Sequence, residues 1–168
     1  MKNYTYSTIA SALLLFALLV VTQQAVAQEN EDVPEPISLE EALKIAPESG
    51  KKILIDVYAE WCPYCQRMHS EVYKDGAVLE AITEHYVWVK INVESDRMVN
   101  YHGNEMTEAE FARALENRNV PTTYFLDKEG SILGSQPGFI EADMFSNLLN
   151  FVGSDQYLVQ SFQDYQNN

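Results

Sequence analysis

The chain has 168 residues, 25 Asp and Glu against 11 Lys and Arg, a formal net charge of −14 and only two cysteines. Such acidity excludes the clustered Lys and Arg that phosphate-rich partners require, so nucleic acid and anionic membrane surfaces are not expected partners. At 46% hydrophobic the chain can build a core, while two thiols are too few for a disulfide-stapled miniprotein or a four-thiolate zinc site.

Residues 1–27 contain Lys2 and no acid, and an apolar run from Ile9 to Val21 leads through Thr22–Gln24 to Ala25-Val26-Ala27. This is the pattern of a secretory signal peptide cut after Ala27, with a run too short to span a bilayer; an uncleaved anchor is the competing reading. A periplasmic or secreted location follows, where disulfide chemistry is expected. Residues 28–37 are acidic and carry two prolines, which reads as a flexible leader. Residues 38–152 form one domain, and 153–168 a C-terminal extension.

Ser38-Leu-Glu-Glu41 fits a capping box that opens a short helix through Leu39, Ala42 and Ile45, ended by Gly50. Lys52 to Ala59 is β-branched and predicts a buried strand. A helix is predicted from Cys62-Pro63 to about Tyr73, and Val78, Leu79, Ile82 and Tyr86 repeat at helical spacing. Val87 to Val93 predicts a second strand, and Thr107 caps a helix carrying Phe111 and Leu115. Thr122 to Leu126, a turn at Asp127–Gly130 and Ser131 to Leu133 predict a hairpin. Met144, Phe145, Leu148, Leu149 and Val152 mark one face of a last helix. Strands separated by helices, with a hairpin near the end, predict an α/β fold around a central mixed sheet flanked by helices.

The chemistry sits at Trp61-Cys62-Pro63-Tyr64-Cys65, directly after a buried strand and at the start of a helix. Two intervening residues bring both sulfurs within one helical turn, so the pair can cycle between dithiol and disulfide. Pro63 suits the first helical position, where a missing N–H costs nothing. Cys62 then meets the free N–H groups and positive dipole end of the helix, which favour a thiolate and make it the nucleophile. Cys65, one turn inside, is the resolving thiol. An inert stapling disulfide is the alternative, and so small a loop gains little from closure.

Ile55-Asp-Val-Tyr-Ala-Glu-Trp-Cys-Pro-Tyr-Cys65 resembles the active-site segment of the thioredoxin superfamily, over roughly Ser38 to Val152. The resemblance implies a thiol–disulfide oxidoreductase without metal or organic cofactor. It further implies protein disulfide substrates, a membrane or soluble thiol reductase as electron donor, and a monomer. Asp56 falls where the family keeps a buried acid that accepts the proton of the resolving thiol, here Cys65; a desolvated carboxyl there is expected to titrate high. Val120-Pro121-Thr122 matches the cis-proline loop, whose backbone at Val120 would pair with an extended substrate. Trp61 matches the aromatic flank that meets substrates, with core packing as its alternative, and Pro63 and Tyr64 border the same substrate site. Pro63-Tyr64 and Gln66-Arg67 are also similar to glutaredoxins. However, Gln136-Pro-Gly-Phe-Ile140 replaces the Gly-Gly-Asp region that holds glutathione there. Disulfide oxidase or isomerase activity is a further alternative. The segment from Ser95 to Arg118, including Asn100–Asn104, exceeds a minimal thioredoxin and reads either as a partner-specific surface or a neutral loop. With the Ser161–Tyr165 tail it resembles secreted thioredoxins of the sulfur-oxidation and cytochrome-maturation type.

A competing class is a copper(I)- or zinc-binding module or metallochaperone. Cys62, Cys65, Met68 and His69 lie close together, and Cys65 and His69 share one helix face.

Overall fold

A computed structural model describes residues 34–167. The predicted signal peptide and most of the leader lie outside the described residues. In chain order the elements are α1 (Leu39–Ser49), β1 (Lys52–Tyr58), α2 (Pro63–Ser70), a 3₁₀ turn (Val72–Lys74), α3 (Gly76–His85) and β2 (Tyr86–Asn92). They continue as β3 (Met98–Tyr101), β4 (Asn104–Thr107), α4 (Glu108–Ala114), β5 (Thr122–Leu126), β6 (Ile132–Pro137), α5 (Ala142–Gly153), a second 3₁₀ turn (Gln156–Leu158) and α6 (Phe162–Gln166).

Four strands form one sheet in the order β2-β1-β5-β6, with β1 parallel to β2 and antiparallel to β5. Strand alternation sorts the β1 side chains. Ile53, Ile55 and Val57 join the core shared with α1 and α4, whereas Leu54 joins the core under α2, α3 and α5. Asp56 therefore shares the face of Leu54 and points beneath the helix that carries the cysteines. The parallel register sets Asp56 opposite Lys90.

Several expectations shift by physical causes that the structure displays. The helix opened by Cys62 ends at Ser70, and the tighter 3₁₀ turn that follows buries Val72 and Tyr73 together. Tyr86 begins β2 instead of ending a helix, and its hydroxyl donates to the Leu149 carbonyl at 2.7 Å. Ile45 and Met144 remain exposed while Ala46 and Phe145 fill the core. β6 reaches Pro137, well past the predicted Leu133. It is the sheet edge, half exposed, and so needs neither apolar content nor a ladder N–H at its final proline.

The surplus between Ser95 and Arg118 is not a loose loop. It holds the β3–β4 hairpin, whose two central residues, His102 and Gly103, both have positive φ (51° and 85°), the requirement of a type I′ turn. The hairpin and α4 are tied down from both sides. Val99, Phe111, Ala112 and Leu115 enter the core, the Asn100 N–H donates to Glu40, and buried Glu108 is paired with Arg97 and accepts the Asn92 N–H. Thr107 caps α4 in a complete capping box with Glu110. The C-terminal extension is anchored by Phe162 and Tyr165, whose rings lie 5.2 and 5.3 Å from that of Phe151 on α5.

Candidate active site

Cys62 is the N-cap of α2, in extended conformation, and Pro63 occupies the first helical position. The Cys62 Sγ accepts the Cys65 N–H at 3.2 Å, so the sulfur itself satisfies one of the orphan donors of the helix start. Its own thiol donates to the Val120 carbonyl at 3.6 Å. Both cysteines are free thiols, 3% and 1% exposed. They share a small cluster with Ala59, bordered by Tyr58, Val93 and Val120. Burial above all, and then the hydrogen bond with Cys62, push the Cys65 thiol up to about 12, so it is protonated at neutral pH.

The peptide bond between Val120 and Pro121 is cis, and this loop faces Cys62. Trp61 and Tyr64 flank the pair at 64% and 58% exposed, which places Trp61 in solvent and not in the core. Tyr64 leans on Phe139, 5.9 Å between rings, and the Arg67 guanidinium lies 4.2 Å above the same Phe139 ring. Phe139 belongs to the Gln136–Ile140 stretch, so this segment reaches the cysteine helix through an aromatic side chain.

Behind Cys65, Asp56 is fully buried. Its Oδ2 stands 2.5 Å from His69 Nε2, while its Oδ1 has no hydrogen-bond partner among the described residues. The neighbouring Tyr73 hydroxyl is likewise buried, beside Asp56 and Thr123, and burial followed by the Asp56 charge holds that phenol well above its usual range. Lys90 Nζ lies 3.3 Å from His69 Nδ1 and 4.5 Å over the Tyr58 ring. The Cys65–His69 spacing that suggested a metal pair thus directs the imidazole to Asp56 and Lys90, with both ring nitrogens engaged. Among the described residues no group of three or more His, Cys, Asp or Glu side chains is arranged to hold a metal ion.

The structure accordingly brings together Cys62, Cys65, Trp61, Pro63, Tyr64, Val120 and Pro121 at one end of the sheet, with Asp56 beneath. Sequence reasoning missed Lys90, Tyr58 and Phe139. Lys90 left one signal, a charge interrupting the apolar run of β2. His69 was noticed for its place on the Cys65 face but not for its partner.

A dithiol at a helix start, on a sheet of this topology, defines a site for thiol–disulfide exchange. A family model described as a thioredoxin-like domain matches residues 39–153, and the chain belongs to that family. Its curated relatives include the thiol:disulfide interchange protein DsbD of Colwellia psychrerythraea, 30% identical over 128 residues, covering 75% of this chain and 20% of that protein. DsbD of Actinobacillus pleuropneumoniae is 29% identical over 109 residues, covering 64% and 17%. The chain therefore spans about a fifth of the length of these relatives. Among solved structures, a thioredoxin from Thermus thermophilus superposes with a TM-score of 0.58 at 26% identity, covering 71% of this chain and 87% of that one. A thioredoxin-fold protein from Helicobacter pylori shares the fold at a TM-score of 0.58 and 23% identity, covering 83% and 89%. No helix among the described residues is long and apolar enough to cross a membrane.

Proposed function

We propose that the protein is an exported thiol–disulfide oxidoreductase that reduces disulfides of other proteins. The observation that carries this reading is the Cys62 sulfur, which accepts the Cys65 amide at the start of α2 and faces the Val120 carbonyl. The relatives named for thiol:disulfide interchange support it.

In the forward direction the Cys62 thiolate attacks one sulfur of a substrate disulfide. That bond breaks, a Cys62–substrate disulfide forms, and the first substrate thiolate leaves and takes a proton from solvent. The Cys65 N–H, at the start of the helix, donates to the attacking sulfur at 3.2 Å. Trp61, Tyr64 and Pro63 border the approach, and the Val120 backbone is the pairing edge for an extended substrate. Cys65 then gives its proton to Asp56 and attacks the Cys62 sulfur. The second substrate thiolate is released, and a Cys62–Cys65 disulfide remains, two electrons poorer. A thiol reductase restores the dithiol.

Three measurements test this reading. The purified dithiol protein is expected to reduce insulin, Cys62→Ser to be inactive, and Cys65→Ser to accumulate a mixed disulfide with substrate. A Cys62–Cys65 potential near about −270 mV fits a reductase, whereas one near about −120 mV makes the protein an oxidant and overturns the direction. Amino-terminal sequencing of the exported form is expected to begin at Gln28.

A further inference from the structure

We infer that His69 is the positioning residue that holds Asp56 as a base for Cys65, in an Asp56–His69–Lys90 array. The inference rests on the dithiol reading above and names a group that it leaves unassigned.

Asp56 is completely enclosed, so the fold must supply whatever satisfies and orients this carboxyl. The hydrogen bond that does so is from His69 Nε2, 2.5 Å from Oδ2, with the Tyr73 hydroxyl also beside the carboxyl. Lys90 stands behind the ring, its ammonium 3.3 Å from Nδ1. An ammonium has no lone pair to offer, so Nδ1 accepts from Lys90, and the ring's proton lies on Nε2, donated to Asp56. Hydrogen bonds donated to a carboxylate favour its charged form. With Oδ2 committed, the unpartnered Oδ1 is left for the Cys65 proton. His69 also supplies the way out, because its side chain is 25% exposed against 1% for Asp56. It lines a hollow of about 240 Å³ with Glu35, Tyr73, Lys74 and Trp88. The titratable and charged groups around the array are Asp56 and Tyr58 on β1, Lys90 on β2, Cys65 on α2, Tyr73 and Lys74 in the 3₁₀ turn, and Glu35 before α1.

The test separates the two sulfur steps. The reduced full-length protein is mixed in stopped flow with an aromatic disulfide that releases a coloured thiolate at each step. The first release reports attack by Cys62, and the second reports resolution by Cys65. His69→Leu removes the donor and is expected to slow the second release about tenfold or more at neutral pH. The pH profile of the second release changes with it, while the first release keeps its parental profile. His69→Gln, which restores an N–H donor, is expected to recover part of the loss. Should the leucine variant fail to fold, Lys90→Met replaces it, with the same selective slowing of the second release. A second release in His69→Leu at parental rate and pH profile, with Asp56→Asn still slow, overturns the role of His69 alone. Parental behaviour of Asp56→Asn as well overturns the role of Asp56 in the reading beneath it.

Discussion

In the proposed mechanism the resolving step turns on one buried proton, and Asp56→Asn isolates it. The substitution keeps the shape of the side chain and removes its charge. With its thiol held at about 12, Cys65 is ionised in only about one molecule in 10⁵ at pH 7. If solvent alone removed that proton, the rate would climb about tenfold per pH unit all the way to about pH 12. A positioned base contributes about 10² to 10⁴. Asp56→Asn is therefore expected to slow resolution about 10²-fold at pH 7, or about 2.7 kcal/mol of barrier, and to replace a plateau near neutrality by the steep solvent-limited slope. The assay is the two-phase release described for His69, followed across pH, with urea unfolding of the variant run alongside to establish that it remains folded. A second phase within about twofold of the parent, with an unchanged pH profile, would refute the assignment of Asp56 as the base.

Stability is expected to fall in alkali. Cys65, Tyr73 and Tyr86 all have folded pKa values above their ordinary ones through burial, so the unfolded chain loses those protons first. Their contribution is whole below about pH 9 and is lost as pH rises toward about 12; a urea midpoint that holds constant over this window would contradict it. Phe145→Ala empties the fully buried centre beneath α5 and is expected to cost about 3–5 kcal/mol in denaturant unfolding. Thr107→Ala removes the cap of α4 and costs about 1 kcal/mol in the same measurement. Trp61→Ala changes stability by less than about 0.5 kcal/mol because the ring is in solvent, yet raises KM for insulin more than for a small aromatic disulfide.

What was legible in the sequence was local. Apolar β-branched runs announced β1, β2 and β5, and Ser38 and Thr107 announced the starts of α1 and α4, because each signal depends on neighbours along the chain. Cys62-Pro63 carried its own helix start. The β3–β4 hairpin was hidden because its strands are only four residues each, with Asn and Glu breaking any apolar run, and its turn uses His102-Gly103. What holds it is Glu40 and the Arg97–Glu108 pair, contacts that periodicity does not contain. His69 was misread for the same reason. Its position beside Cys65 was visible, but its chemistry depends on the register that puts Lys90 opposite Asp56 across two strands.

Because the Cys62 Sγ is the acceptor that closes the first turn of α2, any event that consumes this sulfur also weakens a helix cap. The Cys65 amide thereby becomes a spectroscopic witness. Its hydrogen exchange should quicken when Cys62 is alkylated or joined to a substrate, and slow again on release. It also decides which inactive control is clean. Serine at position 62 keeps an oxygen acceptor for the helix and deletes only the chemistry, whereas alanine deletes both, so a comparison of the two separates the nucleophile from the cap.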